Sequence, residues 1–493
     1  MNIHPCELLR RAEQAVFDSK AMSSDALMDA AIEGCRALLA RDPVFAGAAA
    51  RFRCAIVYAG KGKNAGDAIG LAHRLGFADL RLRCAVPTHD MAAETRRQLA
   101  AIPPEHLHVE SDRPASAEEA LLIDGLLGSG ACGPLRPEYA RLVAELNELR
   151  RHSRRALTLA LDIPTGLSAD GGYLPPLAVQ ADATLALGCV KPGMLADGAE
   201  DYVGRLLCVP LPGCVELPAS AACALGEDTL NWLPRREFSC FKNRAGRVRI
   251  IAGSVGYTGA AQMCAEAALA AGAGLVELCC LPAVYPILAA RVAADVMVRP
   301  VADYSELSAE GAQALLIGPG LGQPSEADCC ALQQLVETAP CPLVLDADGL
   351  NLAAAHGWHI PRSAILTPHP GEMRRLFPAA AELSRAETAA AFVKAHPCTL
   401  LLKGARSIIT NGSATLYNTT GGPWMAGGGQ GDVLAGVVAA LAAQGLPPLR
   451  AAALGAWLCG RAATAAYAAA GFPLSVPATR LLPYLTALQL TRS

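Results

Sequence analysis

A chain of 493 residues, 52% hydrophobic and 18% charged, has the apolar content of two ordinary domains and too little charge for a disordered polymer. Its 5% aromatic content and net charge of −3 exclude a base-stacking platform or a basic stripe for nucleic acid. The 18 cysteines form no CxxC pair and no Cys/His cluster of zinc spacing, so they read as reduced, mostly buried thiols of a cytoplasmic protein.

Met1 to Lys20 carries Glu7, Glu13 and Asp18 among apolar residues, an amphipathic helix pattern with no secretory signal. Short apolar strands then alternate with helices, as in parallel sheets with crossover helices. Strands are expected near Cys54–Ala59, Leu82–Val86, Leu121–Asp124, Leu157–Asp162 and Ala183–Leu187. Helices are expected near Asp67–Leu75, Met91–Ala100 and Pro137–Arg150.

Three loops leave these strands with polar groups. The string Tyr58-Ala59-Gly60-Lys61-Gly62-Lys63-Asn64-Ala65-Gly66-Asp67 begins like GxGxxG but misses its third glycine, with Gly66 one place late. Asn64 and Asp67 stand where a dinucleotide turn needs bare backbone; a helix start with Asp67 as first-turn carboxylate explains the string equally well. Asp124 in DGLLGSG and Asp162 in DIPTGL each sit at a strand's carboxyl end. A buried Asp there is costly unless it meets a cation, a donor or a substrate. Together the loops suggest an acid/base pair or an oxygen-ligand cation site, suited to potassium or magnesium.

Between Val209 and Leu217 the chain reads VPLPGCVEL, followed by small residues to Gly226. This places one domain at 1–217, a linker at 218–226 and a second domain at 227–493. The second restarts with Arg247–Gly253 and a helix near Ala260–Ala271. Strands follow near Leu275–Leu278, Ala314–Ile317, Leu343–Asp346, Ile365–Thr367 and Leu400–Lys403. Ser407–Thr410 and Ala414–Tyr417 around Asn411-Gly412 read as a hairpin. A helix after Asp432 and another over Arg450–Ala470 close the domain. The charge-free runs Val433–Leu449 and Ala462–Thr479 contain Gly and Pro and lean on Ala, so neither is a membrane span.

The loops IGPGLG (317–322), TPHPGE (367–372) and GGGQGD (427–432) gather at one sheet edge, where open parallel sheets bind ligands. Glycines and a helix start supply free N–H groups for a phosphoryl group, and Asp432 can take a proton from an attacking hydroxyl. A lone string of this kind is equally a helix end or a capping turn; three at one edge favour a site of the small-molecule kinase type. The expected fold is α/β in both halves, a Rossmann-like three-layer α/β/α domain followed by a ribokinase-like α/β domain.

The motifs KNAGD, DGLLGSG, LDIPTGL and Lys191-Pro192-Gly193, then GYTGAAQMCAEAALAAGAGLV, IGPGLG, LDADGLNL, TPHPGE, LLKGA and GGGQGDVLAG, resemble one family over nearly the whole chain. It is the family of bifunctional NAD(P)H-hydrate repair enzymes, an epimerase fused to a nucleotide-dependent dehydratase. The resemblance implies that the first domain interconverts R and S hydrates of NADH and NADPH. The second domain would then dehydrate the S form using ADP, or ATP in eukaryotic members, through a phosphorylated intermediate and with magnesium. It further implies Asp162 as acid/base group and Asn64, Asp124 and Thr165 as potassium ligands. Hydrate contacts in the first domain would come from Lys63, Asn64, Ala65, Gly66, Asp67, Gly128, Ser129, Gly130, Ala131, Cys132, Gly133 and Pro134. In the second, Ala260, Gly320, His369 and Asp432 would contact the hydrate, and Lys403, Gly404, Ala405, Arg406, Ser407 and Gly431 the nucleotide. It implies a homo-oligomer with neither nucleic-acid nor membrane partners.

Family members usually read NNGGDG where this chain has Lys63 to Ala68, so a Lys replaces an Asn and could repel the potassium ion or pair with substrate phosphates. Arg406 and Ser407 stand where Gly and Thr are common, and Thr165 for the usual Ser keeps the hydroxyl. Two rival readings are a ribokinase-type small-alcohol kinase, and a working dehydratase beside a non-catalytic first domain.

Overall fold

The computed structural model describes residues 1–112, 117–153, 155–171, 173–212, 217 and 220–490. Two compact units meet at one point of the chain, Met1–Ala224 and Leu225–Ser493. Of the expected linker 218–226, residues 218 and 219 lie outside the described residues, as do 213–216 of the preceding VPLPGCVEL. Ala222–Ala224 within that linker is a short strand.

The first unit holds β1 (Cys54–Ala59), β2 (Leu80–Cys84), β3 (Leu107–Val109), β4 (Ala120–Gly125), β5 (Leu157–Leu161), β6 (Ala183–Leu187), β7 (Arg205–Val209) and β8 (Ala222–Ala224). Seven of these form a parallel sheet in the order β3-β2-β1-β4-β5-β6-β7. The chain winds outward from β1 in one direction and from β4 in the other, so the crevice above the β1/β4 boundary is the natural ligand position. β1 and β4 are buried along their whole length, as strands covered by helices on both faces must be.

Strand β2 begins at Leu80, two residues before the expected start. Within it the Arg83 guanidinium forks onto Glu145 at 2.8 and 2.7 Å inside the core, so a charged residue marks a buried position. The helix expected at Asp67 starts at Lys63, which puts Asn64 and Asp67 in its first two turns. β3 and β7, where the sequence reading placed no strand, lie at the sheet edges and are only partly buried.

The second unit contains β9 (Arg247–Ile251), β10 (Leu275–Cys280), β11 (Val296–Pro300), β12 (Ala314–Ile317), β13 (Leu343–Leu345), β14 (Ala364–Leu366), β15 (Thr399–Leu402), β16 (Ile408–Thr410) and β17 (Thr415–Tyr417). Their order is β11-β10-β9-β12-β13-β14-β15-β16-β17, parallel as far as β15. β16 and β17 turn antiparallel around Asn411-Gly412. Apolar clusters cover both faces of the sheet. On one face the helix Gln430–Ala443 packs on Thr258–Ala270 at close range: a Cβ on Gly436 would lie 2.2 Å from the Cys264 carbonyl oxygen. The alanine-rich composition serves this tight helix contact. Among the described residues no helix is long and apolar enough to cross a membrane.

Candidate active sites

In the first unit the loops after β1, β4 and β5, three neighbours in the sheet, converge on Asp162. Asp162 follows β5 with φ 65, a left-handed conformation that Asp tolerates better than most residues. Its Oδ2 accepts the Ser129 N–H at 2.7 Å, and its Oδ1 accepts the Lys191 ammonium. Lys191 is 0% exposed and also donates to the Leu187 carbonyl at 2.8 Å. Burial alone would raise the Asp162 carboxyl, but the Lys191 charge and hydrogen bond, together with the Ser129 donors, outweigh it and hold the group below the usual carboxylate range. Burial would likewise lower Lys191, and Asp162 keeps it protonated. The result is a buried, ionised acid/base pair.

Behind it, Asp124 ends β4. It accepts the Thr165 N–H and the Thr165 hydroxyl, both at 2.8 Å, and the Leu126 N–H at 3.1 Å. Burial pushes its carboxyl up to about 6 in spite of the Thr165 donors. Asn64 donates from Nδ2 to the Leu127 and Leu161 carbonyls at 3.1 and 3.2 Å. Among the described residues its Oδ1 is buried without a hydrogen-bond partner. An orphaned amide oxygen, a buried carboxylate and a hydroxyl are hard donors, and that set fits a monovalent cation.

A cavity of about 470 Å³ opens over Asp162. Of the expected hydrate contacts, Lys63, Asn64, Asp67, Gly128, Ser129, Gly130 and Ala131 line it. Ala65 and Gly66 do not; they face into the protein, where a Cβ on Gly66 would meet the Met28 side chain at 2.7 Å. Cys132, Gly133 and Pro134 are exposed and also lie off the cavity wall.

Lys63 donates to Ser24 Oγ at 2.7 Å and pairs with Glu94 at 3.2 Å, so its charge is engaged at the start of the helix Ser24–Arg41. The sequence reading missed the wall formed by the first two helices, which includes Leu9, Glu13, Phe17, Leu27 and Met28. It also gave Lys191 no role. Glu13 and Asp67 are both held up, first by burial and then by the nearby Asp162 charge.

In the second unit five adjacent strands, β9-β12-β13-β14-β15, end in the loops singled out from the sequence. Gly320, at φ 63, lies so close that a Cβ would be 2.8 Å from Tyr257 Cβ and 3.2 Å from Ala260 Cβ, which brings two expected hydrate contacts together. Asp432 stands in the first turn of Gln430–Ala443, behind Gly429 at φ 88. The first N–H groups of that helix have no carbonyl partner within it and are of the kind that can receive an anion.

Lys403 Nζ lies 3.4 Å from where a Gly431 Cβ would be, and it pairs with Asp346 at 2.8 Å and Glu372 at 3.8 Å. Asp346 also accepts the Thr367 hydroxyl at 2.8 Å. Burial, then Asp346, push Asp432 up to about 6; Lys403 opposes them and Asp348 adds to them. Between the two acids, Ala347 is held at φ 49, a conformation costing an alanine of the order of 1–3 kcal/mol. Asp346, Asp348, Thr367 and Glu372 were assigned no role from sequence, although they stand in the LDADGLNL and TPHPGE strings.

The remaining expected contacts fall into place less uniformly. His369 caps the helix Pro370–Leu376: its Nδ1 accepts the Gly371 N–H at 2.9 Å while its backbone N–H donates to the Glu372 carboxylate at 2.8 Å. Half the side chain stays exposed, leaving Nε2 beside Glu372 at the loop's surface. Gly404 and Ala405 are exposed at the tip of the loop after β15, and Ser407 Oγ donates back to the Gly404 carbonyl at 3.1 Å. Arg406 is buried, so the residue replacing the common Gly points its bulk inward. Arg385 ties this loop down through the Leu402, Lys403 and Arg406 carbonyls.

Residues 248–487 match the family described as NAD(P)H-hydrate dehydratase, and residues 24–193 match the YjeF-related protein N-terminus. A bifunctional NAD(P)H-hydrate repair enzyme of Moorella thermoacetica is 34% identical, covering 92% of this chain and 91% of its own. That of Coxiella burnetii is 32% identical, covering 97% and 98%. Among solved structures, a ribokinase-like superfamily protein from Enterococcus faecalis is 26% identical with a TM-score of 0.51, covering 56% of this chain and 99% of that one.

Proposed function

The chain belongs to the family of bifunctional NAD(P)H-hydrate repair enzymes, an isomerase joined to a lyase, and from that premise we propose how its own residues divide the work. The observation that carries the proposal is the pairing of two different acid/base centres, an ionised Asp162–Lys191 pair in one unit and an Asp432 raised to about 6 in the other. Two carboxylates pushed in opposite directions by their surroundings suit two different proton transfers.

In the first unit the hydrate occupies the cavity over Asp162. Asp162, which lines that cavity and is held ionised by the buried Lys191, takes the C6 hydroxyl proton and passes it to the ring nitrogen as the C6–N bond opens; the nitrogen closes on the other face of C6 and the proton returns to the oxygen by the same route. Asn64, Asp124 and Thr165 would hold potassium, whose charge would favour the phosphate-bearing substrate at this end of the cavity.

In the second unit Asp432 takes the 6-hydroxyl proton as that oxygen attacks the terminal phosphoryl group of ADP, with the N–H groups at Gly431 and the Lys403 charge receiving the transferred group. AMP departs. The ring nitrogen then expels phosphate from C6, and the departing phosphate takes a C5 proton, which restores the double bond. Phosphorylation converts hydroxide, a poor leaving group, into a good one. Among the described residues no cluster of three or more His, Cys, Asp or Glu is placed to hold a metal ion, so magnesium would enter on the nucleotide's phosphates. Self-association and a reducing cytoplasmic setting belong to the same reading, the latter supported by the free thiols of the described cysteines.

The test is stoichiometric. Purified protein given S hydrate and ADP is expected to release one AMP and one phosphate for each NAD(P)H formed. A stable phosphorylated product without free phosphate would instead support the small-alcohol kinase. Lys63→Asn separates the two readings of that substitution. Because Lys63 is engaged by Ser24 and Glu94 at an exposed position, epimerisation should change by less than about threefold, the scale of an exposed ion pair. A large gain would mean that Lys63 suppresses the first unit.

A further inference from the structure

We propose that Asp346 is a positioning residue for the dehydration: it holds the Lys403 ammonium against Gly431 and keeps a fixed negative charge beside Asp432. This rests on the reading of Asp432 as the base. Asp346 is 1% exposed at the carboxyl end of β13, between the β12 and β14 loops. Its Oδ1 accepts both the Thr367 hydroxyl and Lys403 at 2.8 Å. Its Oδ2 lies 3.9 Å from where a Gly431 Cβ would be, on the same side as Lys403 Nζ at 3.4 Å. The backbone is built to place it there: a Cβ on Gly318 would sit 1.8 Å from the Asp346 carbonyl oxygen, so only glycine allows the β12 loop to pass.

The charges facing Asp432 come from every surrounding element. Asp346 follows β13, Asp348 opens the helix Asp348–His356, and Lys403 follows β15. Glu372, in Pro370–Leu376, reaches this group through Lys403, and the buried Cys264 thiol of Thr258–Ala270 completes the ring. Of these, Asp346 is the one that touches Lys403 at hydrogen-bond distance while also raising Asp432. Its position lets one carboxylate serve both partners: it orients the cation that meets the transferred phosphoryl group, and it makes Asp432 a stronger base than an ordinary Asp.

Two variants of the full-length protein test this, each assayed with S hydrate and ADP across pH. Asp346→Asn removes the charge. The acidic limb of kcat/KM, expected near 6 in the wild type, should then move down by about half to one unit. The nucleotide KM should rise about tenfold, the scale of one lost charge-assisted hydrogen bond. Asp346→Glu keeps the charge but not the distance, so its limb should stay and its KM should rise. If Asp346→Asn does not fold, a raised KM with an unmoved limb in Asp346→Glu still supports the proposal, and an unchanged KM there overturns it. An unmoved limb in Asp346→Asn, with turnover merely reduced, would make Asp346 a packing residue and leave the reading of Asp432 intact. A wild type without ADP-dependent turnover would remove that reading and this inference together.

Discussion

Asp432→Asn is expected to lose nucleotide-dependent dehydration by about 10²–10⁴-fold, the span of a positioned general base. The side chain has the two properties such a base needs. It stands in the first turn of Gln430–Ala443 among the N–H groups that can hold a phosphoryl group, and its carboxyl is pushed up to about 6. Asn keeps the shape and removes the basicity.

The sign of the pH dependence follows from the same value. The base works only when ionised, so wild-type dehydration should fall as pH drops through about 6. A carboxyl raised in the folded state lends stability below its unfolded value and loses that contribution as pH rises through the folded one. At neutral pH the ionised Asp432 is therefore a cost to folding. The Asn variant should be inactive with a thermal midpoint no lower than the wild type's. A variant that is inactive because it unfolds would leave the role of Asp432 unsupported.

Lys191→Met is expected to have the largest combined effect on stability and activity. It leaves the buried Asp162 carboxylate without its cation, and breaking one side of a buried pair costs about 3–5 kcal/mol. Epimerisation should also disappear, because the Asp162 carboxylate that lines the cavity loses the cation that keeps it ionised, while S hydrate is still dehydrated. For Asp162 the sign is opposite to that of Asp432. Its folded carboxyl is depressed, so its contribution to stability is present above the unfolded value and is lost as pH falls through the folded one. Denaturant titrations near neutrality should show the loss in Lys191→Met.

The double variant Asp162→Asn with Lys191→Met separates chemistry from folding. Two neutral side chains should recover most of the stability and none of the epimerisation. Recovery of epimerisation in the double variant would place the acid/base group elsewhere in the cavity, with Glu13 and Asp67 the nearest carboxyls.

Much of the fold was legible because buried parallel strands are continuous apolar runs. β1, β12 and the Asn-Gly hairpin of β16 and β17 stand where pattern and turn residues put them. The parts that were not legible share a physical cause. β3, β7 and β11 are edge strands that are only partly buried, without the continuous burial of the inner strands, and β2 carries a buried Arg83–Glu145 pair that looks like surface.

The same holds at the sites. Loops flagged by glycine and proline are brought together, but local strings could not show what long-range packing adds. The first two helices wall the first cavity with Glu13 and Phe17, Lys191 arrives from beyond β6, and Asp346 reaches Lys403 across 57 positions of sequence. The inward turn of Ala65, Gly66 and Arg406 was equally invisible, since a motif names positions and not the direction in which each side chain points.

The most direct test of two working centres in one chain is to give the purified protein an R/S mixture of NADPH hydrate with ADP, magnesium and potassium, and to follow NADPH absorbance. Recovery of the whole mixture is expected, with none when nucleotide is omitted. Recovery that stops at the S fraction would contradict a working epimerase, and no recovery with either ADP or ATP would contradict the repair function itself.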